Sequence, residues 1–280
     1  MAKVLEIGKN KLNFSKRTLI MGVLNITPDS FSDGGRFIKA EAAKQRAIVM
    51  QEEGADIIDV GGESSRPGSE KVSEEQELGR VLPVLKAIKD EVSVPISIDS
   101  YKPNVIEKAL ENGASIINDI TGLQNKKIRE IAVEGQFPVI IMHMQGTPQH
   151  MQESPTYDDV VKDIYKFFEK QTSLVIKEGL NRSKIVIDPG IGFGKTLEHN
   201  LEILRRFEEF RMLGFPTLVG TSRKSFIGAL SGAEVDKRLP GTVASISAAV
   251  LKGANIVRVH DVAEAKQAIQ VVDAIEGYDG

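Results

Sequence analysis

The sequence repeats a unit made of a short β-branched apolar run, a break rich in glycine, asparagine, aspartate or serine, and a longer segment with helical periodicity. The apolar runs do not alternate with polar residues, which is typical of parallel strands buried on both faces. Eight such units predict a closed α/β barrel of the (β/α)8, or TIM, type. A doubly wound open sheet is the alternative, although it usually has fewer strands. The predicted strands are Thr18–Leu24, Ile57–Val60, Pro95–Ile98, Ser115–Asn118, Pro138–Met142, Ile185–Ile187, Thr217–Gly220 and Ile256–Val259.

Amphipathic segments between the strands predict the outer helices. Several of them end in a glycine followed by an apolar residue, as at Gly54, Gly113, Gly179 and Gly253. Glycine is favoured there because it adopts the left-handed conformation that ends a helix. The predicted helices are Ala40–Glu53, Glu74–Lys89, Pro103–Asn112, Tyr157–Glu178, Leu197–Met212, Thr242–Lys252 and Ala263–Glu276.

The first residues predict a small β-hairpin before the barrel. Two short alternating runs, Val4–Ile7 and Lys11–Phe14, flank the sequence Gly8-Lys9-Asn10. We expect this hairpin to plug the bottom of the barrel. No linker or low-complexity tract suggests a second domain, so residues 1–280 are predicted to form a single domain.

Charge and cysteine content exclude several classes of function. Lys and Arg number 36 and Asp and Glu 39, so the formal net charge is −3 and argues against nucleic acid as a partner. The absence of cysteine excludes a zinc–thiolate site, an iron–sulfur cluster and a thiol nucleophile. The N-terminus lacks a signal pattern, and no run reaches the roughly 18 apolar residues of a spanning helix. The expected location is therefore the cytoplasm, without a membrane partner.

Polar residues follow every predicted strand. In an α/β barrel the chemistry takes place where the carboxyl ends of the strands meet the loops that follow. Solvated loops also carry polar residues, but all eight strand ends carry Asn, Asp, His, Arg or Lys. In strand order they are Asn25; Asp59 with Glu63, Ser64, Ser65 and Arg66; Asp99 and Ser100; Asn118 and Asp119; His143; Asp188; Ser222, Arg223, Lys224 and Ser225; and Arg258, His260 and Asp261.

Three of these residues could recognise a planar, hydrogen-bonding base. The carboxylates of Asp99 and Asp188 can accept hydrogen bonds from a guanidine-like ring edge, and Asn118 offers both a donor and an acceptor. Asp99 could instead cap the helix that starts near Pro103, and Asp188, before Pro189, could simply form a turn.

A second group predicts an anionic ligand. Arg66 and Arg258 can bind phosphate in a bidentate manner. His260 lies close to Arg258 in the sequence, and Lys224 lies near the start of a predicted helix, where backbone N–H groups favour an anion. A surface ion pair is the alternative for each arginine, but Arg258 stands inside an apolar strand, where an unpaired charge would be costly. His143 could equally be a hydrogen-bonded core histidine.

The sequence does not match the P-loop motif or the histidine motifs of zinc enzymes. The run Pro-Gly-Ile-Gly-Phe-Gly-Lys-Thr at 189–196 evokes a P-loop, but that motif needs glycine where Pro189 stands. No His-x-His follows the first barrel strand and no His-Glu-x-x-His occurs, so a tightly held zinc centre is not expected.

Seven motifs, in the same order along nearly the whole chain, resemble those of the dihydropteroate synthase family. They are Asn25-Ile-Thr-Pro-Asp-Ser-Phe-Ser-Asp-Gly-Gly, Asp59-Val-Gly-Gly-Glu-Ser-Ser-Arg-Pro-Gly, Ser-Ile-Asp99-Ser, Ile-Asn118-Asp, Asp188-Pro-Gly-Ile-Gly-Phe-Gly-Lys, Gly-Thr-Ser-Arg-Lys224-Ser-Phe-Ile-Gly and Arg258-Val-His260-Asp. One departure is Ser65, where the family more often has threonine. The resemblance implies condensation of 6-hydroxymethyl-7,8-dihydropterin pyrophosphate with 4-aminobenzoate to 7,8-dihydropteroate and pyrophosphate.

The resemblance also implies a role for particular residues. Pterin would be bound by Asp99, Asn118, Asp188 and Lys224, and pyrophosphate by Asn25, Ser65, Arg66, Arg258 and His260, with Mg²⁺ beside Asn25. The carboxylate of 4-aminobenzoate would meet Ser225, and Phe31, Pro67 and Phe193 would wall its ring. The implied catalytic residues are Asp33, on the long first loop, and Arg66, Lys224, Arg258 and His260.

The same resemblance implies inhibition by sulfonamides at the aminobenzoate site and a homodimer formed by helices away from the barrel mouth. An SN1-like displacement, in which pyrophosphate leaves before the amine attacks, needs no protein nucleophile. The loops near 27–36 and 63–72 are expected to close over pyrophosphate and Mg²⁺. Alternatives are a methyltetrahydrofolate-dependent methyltransferase, a non-catalytic pterin-binding protein and, more remotely, a Schiff-base aldolase that uses Lys224.

Overall fold

A computed structural model describes residues 4–7, 10–26, 36–64, 68–69 and 71–278, except for the side chains of residues 36–39. These residues form ten strands and nine α-helices. The strands are β1 Val4–Ile7, β2 Asn10–Asn13, β3 Leu19–Asn25, β4 Ile57–Gly61, β5 Ile96–Asp99, β6 Ile116–Asp119, β7 Val139–Met142, β8 Ile185–Asp188, β9 Leu218–Val219 and β10 Ile256–Val259. The helices are α1 Arg36–Glu52, α2 Glu74–Ile88, α3 Pro103–Glu111, α4 Lys126–Gly135, α5 Val160–Lys177, α6 Leu197–Arg205, α7 Ser225–Ser231, α8 Leu239–Leu251 and α9 Val262–Ile275.

Strands β3 to β10 form the predicted parallel barrel. Their order is β8-β7-β6-β5-β4-β3-β10-β9, with every hydrogen-bonded pair parallel. A parallel bridge between Ile187 and Thr217, with the Ile187 amide donating to the Pro216 carbonyl at 3.0 Å, joins β8 to the start of β9. The sheet therefore closes on itself, which confirms the barrel and excludes the open doubly wound alternative.

The N-terminal hairpin is also confirmed. Strands β1 and β2 pair antiparallel, with Leu5 opposite Leu12. Leu5, Ile7, Leu12 and Phe14 are buried in one apolar cluster with inward residues near the amino ends of the barrel strands, such as Met21, Ile57, Ile116, Ile140, Val186, Leu218 and Ile256. The hairpin thus plugs the bottom of the barrel with hydrophobic side chains, as predicted.

The helices differ from the prediction at their ends. Helix α8 begins at Leu239 rather than Thr242, because a proline such as Pro240 is compatible with the first helical turn. The segment predicted as Leu197–Met212 divides into α6 and a 3₁₀ helix, Phe207–Leu213. Helix α4 was not predicted, although Asn125 caps its start. The predicted glycine ends are confirmed, since Gly54, Gly113, Gly179 and Gly253 have φ values of 104°, 108°, 114° and 89°.

None of the helices among the described residues is long and apolar enough to cross a membrane. The predicted cytoplasmic location and the assignment of residues 1–280 to one domain stay predictions.

Candidate active site

The carboxyl ends of four neighbouring strands bring polar side chains to one level of the barrel mouth. The register pairs Asn25 with Gly61, Gly61 with Asp99, and Asp99 with Asn118, across β3, β4, β5 and β6. The side chains of Asp99 and Asn25 flank Gly61, because a Cβ there would make ordinary contacts of 3.6 Å with Asp99 Oδ2 and 3.7 Å with Asn25 Oδ1. The sequence-predicted residues Asn25, Asp99 and Asn118 therefore lie at the same level of the mouth.

Arg258 on β10 lies at the centre of this level. Its Nε donates to Asp59 Oδ2 at 2.7 Å, and its Nη2 donates to Asp99 Oδ2 at 2.7 Å. Asn118 Nδ2 donates to the same Asp59 oxygen at 3.1 Å. Asp59 is fully buried, so its charge is balanced by the arginine and not by solvent. The residue grouped by sequence with the anion binders is thus in direct contact with the two carboxylates.

Asp59 is the residue that sequence reasoning left out of the candidate site. The strand-end pattern includes Asp59 without predicting a role for it, whereas the structure makes it the central acceptor of the network. The signal was present, because a carboxylate inside the apolar run Ile57-Ile58-Asp59-Val60 must be paired when the strand is buried. Its second oxygen, Oδ1, is buried and makes no hydrogen bond within the described part of the chain.

Two carboxyl groups of the mouth have raised pKa values. Burial raises the pKa of Asp99 to about 7, although the neighbouring Arg258 lowers it. Burial likewise raises the pKa of Asp188 to about 6, against the opposing effects of the Gly190 amide, Arg258 and Lys224. Both groups can therefore change protonation near neutral pH, which is common for residues of a functional site.

Asp188, Lys224 and Phe193 come together on the other side of the mouth. Asp188 Oδ1 accepts a hydrogen bond from the Gly190 amide at 2.8 Å. One oxygen of this carboxylate therefore stabilises the turn that follows β8, as the turn-forming alternative predicts. Lys224 precedes α7, and its Nζ lies 4.0 Å from the centre of the Phe193 ring. Phe193 packs in an apolar cluster with Ile120, Met142 and Met151. The mouth thus combines buried carboxylates, a lysine and an apolar wall suited to a flat ring.

His260 is oriented by the end of the neighbouring strand. Its Nδ1 lies 2.9 Å from Ser222 Oγ, and its backbone amide donates to the same oxygen at 3.2 Å. Because Oγ accepts from the amide, its own proton can be given to Nδ1. Arg223, by contrast, forms two hydrogen bonds with Asp261, of 3.1 and 2.5 Å, and so joins the loops after β9 and β10.

A second buried cluster lies beside Asp99. Lys102 Nζ donates to Glu63 Oε2 and Glu77 Oε2, both at 2.5 Å, and to the Val72 carbonyl at 2.7 Å. The Val72 amide in turn donates to Glu63 Oε1 at 3.3 Å. One ammonium therefore holds both ends of the loop between β4 and α2. The cluster borders a small pocket, which is lined by Glu63, Ser64, Glu77, Asp99, Ser100, Tyr101, Ile120 and Pro148.

Of the remaining predicted residues, two are described by the structure and five are not. His143 is buried against a lysine, which supports its interpretation as a core histidine. Ser225 is exposed at the first position of α7. Phe31, Asp33, Ser65, Arg66 and Pro67 lie outside the described residues. Within the ranges that the structure describes, no group of three or more His, Cys, Asp or Glu side chains is placed to hold a metal ion.

Comparison with known proteins gives consistent matches over most of the chain. The profile of a family described as pterin binding enzyme matches residues 21–260. The dihydropteroate synthase of Escherichia coli strain K12 is 48% identical over 255 residues, which cover 91% of this chain and 90% of that protein. A crystal structure of Yersinia pestis dihydropteroate synthase with a sulfonamide drug complex has a TM-score of 0.92 at 43% identity, covering 98% and 99% of the two chains. A structure of the Xanthomonas albilineans enzyme with 4-aminobenzoic acid has a TM-score of 0.92 at 38% identity, covering 99% of both chains.

The buried Lys102 predicts a large stability effect. Replacing it by methionine leaves the carboxylates of Glu63 and Glu77 buried without their cation, and we expect the free energy of unfolding to fall by about 3–5 kcal/mol. Lys108→Met is the control, because the side chain of Lys108 is 45% exposed and should change stability by no more than about 0.5 kcal/mol. Urea unfolding of both variants measures this difference, and equal stabilities would contradict the assigned role.

Proposed function

The chain belongs to the dihydropteroate synthase family of pterin-binding enzymes, and from this membership we propose how its residues perform the reaction. The enzyme condenses 6-hydroxymethyl-7,8-dihydropterin pyrophosphate with 4-aminobenzoate, giving 7,8-dihydropteroate and pyrophosphate in folate biosynthesis. The observation that best supports this function is a set of three carboxylates, the buried Asp59 and Asp188 and the largely buried Asp99, around a single mouth with Asn118.

We propose that the pterin lies against these carboxylates. The amino group and ring N–H of a pterin form a donor edge like that of guanidine, which matches carboxylate acceptors. Asp188 Oδ2 makes no hydrogen bond to the described residues, so it is available to this edge. Asn118 can serve the adjacent ring atoms, and Lys224 can donate to the ring carbonyl. Ile120 and Met142 would cover the ring faces.

Pyrophosphate is proposed to lie on the side of β3 and β10, held by Asn25, Ser65, Arg66, Arg258 and His260. Arg258 uses Nε and Nη2 for the carboxylates, whereas its Nη1 makes no hydrogen bond within the part of the chain that the structure describes. One guanidinium can therefore hold the carboxylates and still donate to a phosphate oxygen. His260 would present its ring to the same anion after Ser222 has oriented it.

The amide oxygen of Asn25 fits Mg²⁺, a hard cation that takes oxygen ligands. Mg²⁺ usually takes one or two protein oxygens and completes its shell with substrate phosphates and water. The Asn25 amide oxygen lies at the same level as the Asp99 carboxylate, at the edge where pyrophosphate is proposed. When bound there, Mg²⁺ would neutralise charge on the leaving group.

The aminobenzoate site is proposed to include Ser225 for the carboxylate and Phe31, Pro67 and Phe193 for the ring. Asp33, on the loop after β3, would complete the site. The related Xanthomonas albilineans enzyme was solved with 4-aminobenzoic acid and the Yersinia pestis enzyme with a sulfonamide drug complex, which supports competition between the two ligand classes here. Ser225 is exposed at the start of α7, where an incoming carboxylate can reach it.

The chemical step is proposed to be an SN1-like displacement. The bond between the exocyclic carbon and the ester oxygen breaks, and its electron pair leaves with pyrophosphate. The amine nitrogen of 4-aminobenzoate then attacks the cationic carbon and releases a proton. Arg66, Arg258 and His260 stabilise the leaving anion, and the fixed carboxylates of Asp59 and Asp99 stabilise positive charge that develops on the pterin.

The function is tested by measuring pyrophosphate release and dihydropteroate formation with and without 4-aminobenzoate and Mg²⁺. We expect product only when both substrates and the metal are present. Tight pterin binding without pyrophosphate release would instead support a non-catalytic pterin-binding protein or a methyltransferase.

The raised pKa of Asp188 predicts a pH dependence of pterin binding. The carboxyl takes up a proton as the pH falls through about 6, and its protonated form no longer accepts two hydrogen bonds. Affinity for 6-hydroxymethyl-7,8-dihydropterin should therefore fall from pH 8 to pH 5, approaching about tenfold per pH unit below the pKa. Calorimetry across this range measures the change. Asp188→Asn should bind weakly at every pH and lose the inflection near 6, whereas an inflection near 7 from Asp99 remains. A wild-type affinity independent of pH would refute the assignment.

The SN1-like step predicts positional isotope exchange. If pyrophosphate leaves first and can return, an oxygen isotope in the ester position should appear in the other oxygens of the same phosphoryl group. We expect this scrambling in substrate recovered from the enzyme without 4-aminobenzoate, measured by phosphorus NMR. Absence of scrambling, together with rates that rise steeply with amine basicity, would show that the amine attacks before pyrophosphate leaves.

A homodimer is proposed through the outer faces of α8 and α9. The sequence of α8, LPGTVASISAAVL, carries no charged residue, and Leu251 on this helix is 49% exposed. Val271 and Ile275 on the adjacent α9 are 58% and 70% exposed. Outward apolar faces of this kind usually pack against another surface.

The proposed interface predicts that a charge at Leu251 separates the subunits. Gel filtration with light scattering should give about twice the chain mass of 30.6 kDa for the wild type and the single mass for Leu251→Glu. Lys126→Glu, on the distant helix α4, is the control and should stay dimeric. A wild-type mass of one chain would exclude the dimer.

A further inference from the structure

Lys195 is a buried cation that the proposed reaction does not use. It belongs to the P-loop-like run at 189–196, in which the corresponding lysine of a true P-loop would reach a phosphate. Here the residue is only 2% exposed, and its ammonium is bonded within the protein to His143 and to the Phe193 carbonyl. The P-loop interpretation is therefore excluded by position as well as by Pro189, and the lysine needs another explanation.

The ammonium of Lys195 has three acceptors, one for each proton. Nζ donates to the Phe193 carbonyl at 2.9 Å, to the His143 carbonyl at 3.3 Å and to His143 Nδ1 at 3.0 Å. Burial and the nearby Lys195 charge lower the pKa of His143 to about 2, so the ring is neutral and accepts at Nδ1. Lys195 thus joins the loop after β7 to the loop after β8.

These two loops are in close contact along their backbones. A Cβ at Gly190 would lie 2.0 Å from the His143 carbonyl oxygen, and one at Gly194 would lie 2.3 Å from the Gln145 carbonyl oxygen. Both glycines also have positive φ values, of 68° and 61°. The loop after β8 can therefore take this path only with glycine at both positions. The Lys195 ammonium holds the loop at the Phe193 carbonyl, which lies between these two glycines in the chain.

Phe193 is bonded directly to this anchor, while its amide donates to the Gly190 carbonyl of the same loop at 3.1 Å. Gly192, beside it, has supports of its own, because its amide donates to Asn200 Oδ1 at 2.7 Å and its carbonyl accepts from Gln152 Nε2 at 2.6 Å. The Phe193 carbonyl accepts from Lys195, and the Phe193 ring faces the Lys224 ammonium. Loss of the buried ammonium should therefore displace Phe193 more than Gly192.

Burial disfavours the charged form of Lys195. Burial lowers the pKa of Lys195 to about 7, with Asp188 opposing the shift and Lys224 adding to it. An apolar residue of similar length would avoid that cost, so the hydrogen bonds made by the ammonium are its evident contribution at this position.

We propose that Lys195 is a positioning residue for 4-aminobenzoate, which holds the Phe193 wall in place by bonding its carbonyl and His143 together. The inference rests on the proposed function, because it needs Phe193 to border the aminobenzoate ring. It assigns Lys195 no contact with either substrate.

The test compares steady-state constants for Lys195→Met, Phe193→Ala and the double variant. Lys195→Met should raise the KM for 4-aminobenzoate by about tenfold or more, since small displacements of positioning groups have effects of that size or larger. Its kcat and its affinity for the free dihydropterin should change by less than about threefold. In the Phe193→Ala background the same substitution should add little, because the wall that it positions is already missing. Lys126→Met, at an exposed lysine of α4, is the control.

The results distinguish the proposed aminobenzoate role of Phe193 from the positioning role of Lys195. If Phe193→Ala leaves the KM for 4-aminobenzoate unchanged, the proposed aminobenzoate role of Phe193 is wrong. If Phe193→Ala raises it but Lys195→Met does not, or if the two effects simply add, the positioning role is wrong. Should Lys195→Met fail to fold, His143→Phe keeps a ring at that site and removes one acceptor. A rise of about threefold in the same KM supports the inference, and an unchanged value overturns it.

Discussion

The charge of Arg258 is the interaction on which the candidate site depends. Asp59 and Asp99 lie on adjacent strands at the mouth, and one of them is fully buried. Two such carboxylates repel each other unless a cation lies between them. Arg258 supplies that cation from β10 and joins three barrel strands through its hydrogen bonds. Removing one partner from such a buried pair typically costs about 3–5 kcal/mol, so stability and ligand recognition depend on the same guanidinium.

The two ends of the barrel are lined by different kinds of side chain, apolar at the bottom and polar at the mouth. The bottom is closed by an apolar cluster in which the N-terminal hairpin inserts residues such as Leu5 and Phe14. The mouth is polar, and its loops are held by buried ammonium groups, those of Lys102 and Lys195, with several acceptors each. Hydrophobic closure needs little geometric precision, whereas hydrogen bonds fix loop positions closely. Stability and chemistry are thereby separated along the barrel axis, as is usual for this fold.

Much of the candidate site could be predicted from local sequence. The strand bounds follow from apolar runs ended by polar or glycine residues, so Asn25, Asp99 and Asp188 were correctly expected at strand ends. The helix α4 was missed because its segment, KKIREIAVEG, is short and largely polar. Lys195 was set aside with the P-loop-like motif, since nothing in its neighbours along the chain shows that it turns inward.

The sequence alone determined the barrel, the hairpin and the strand ends from which the site is built, because periodicity and strand-end composition are local properties. Only the tertiary structure decided which of these residues meet. Arg258 and Asp59 are 199 positions apart, and Lys195 and His143 are separated by 52. Such contacts depend on barrel closure and register, which set the spatial order of the strands. The physical reason is that a buried charge selects whatever partner the folded backbone brings within hydrogen-bonding distance, and sequence separation places no limit on that choice.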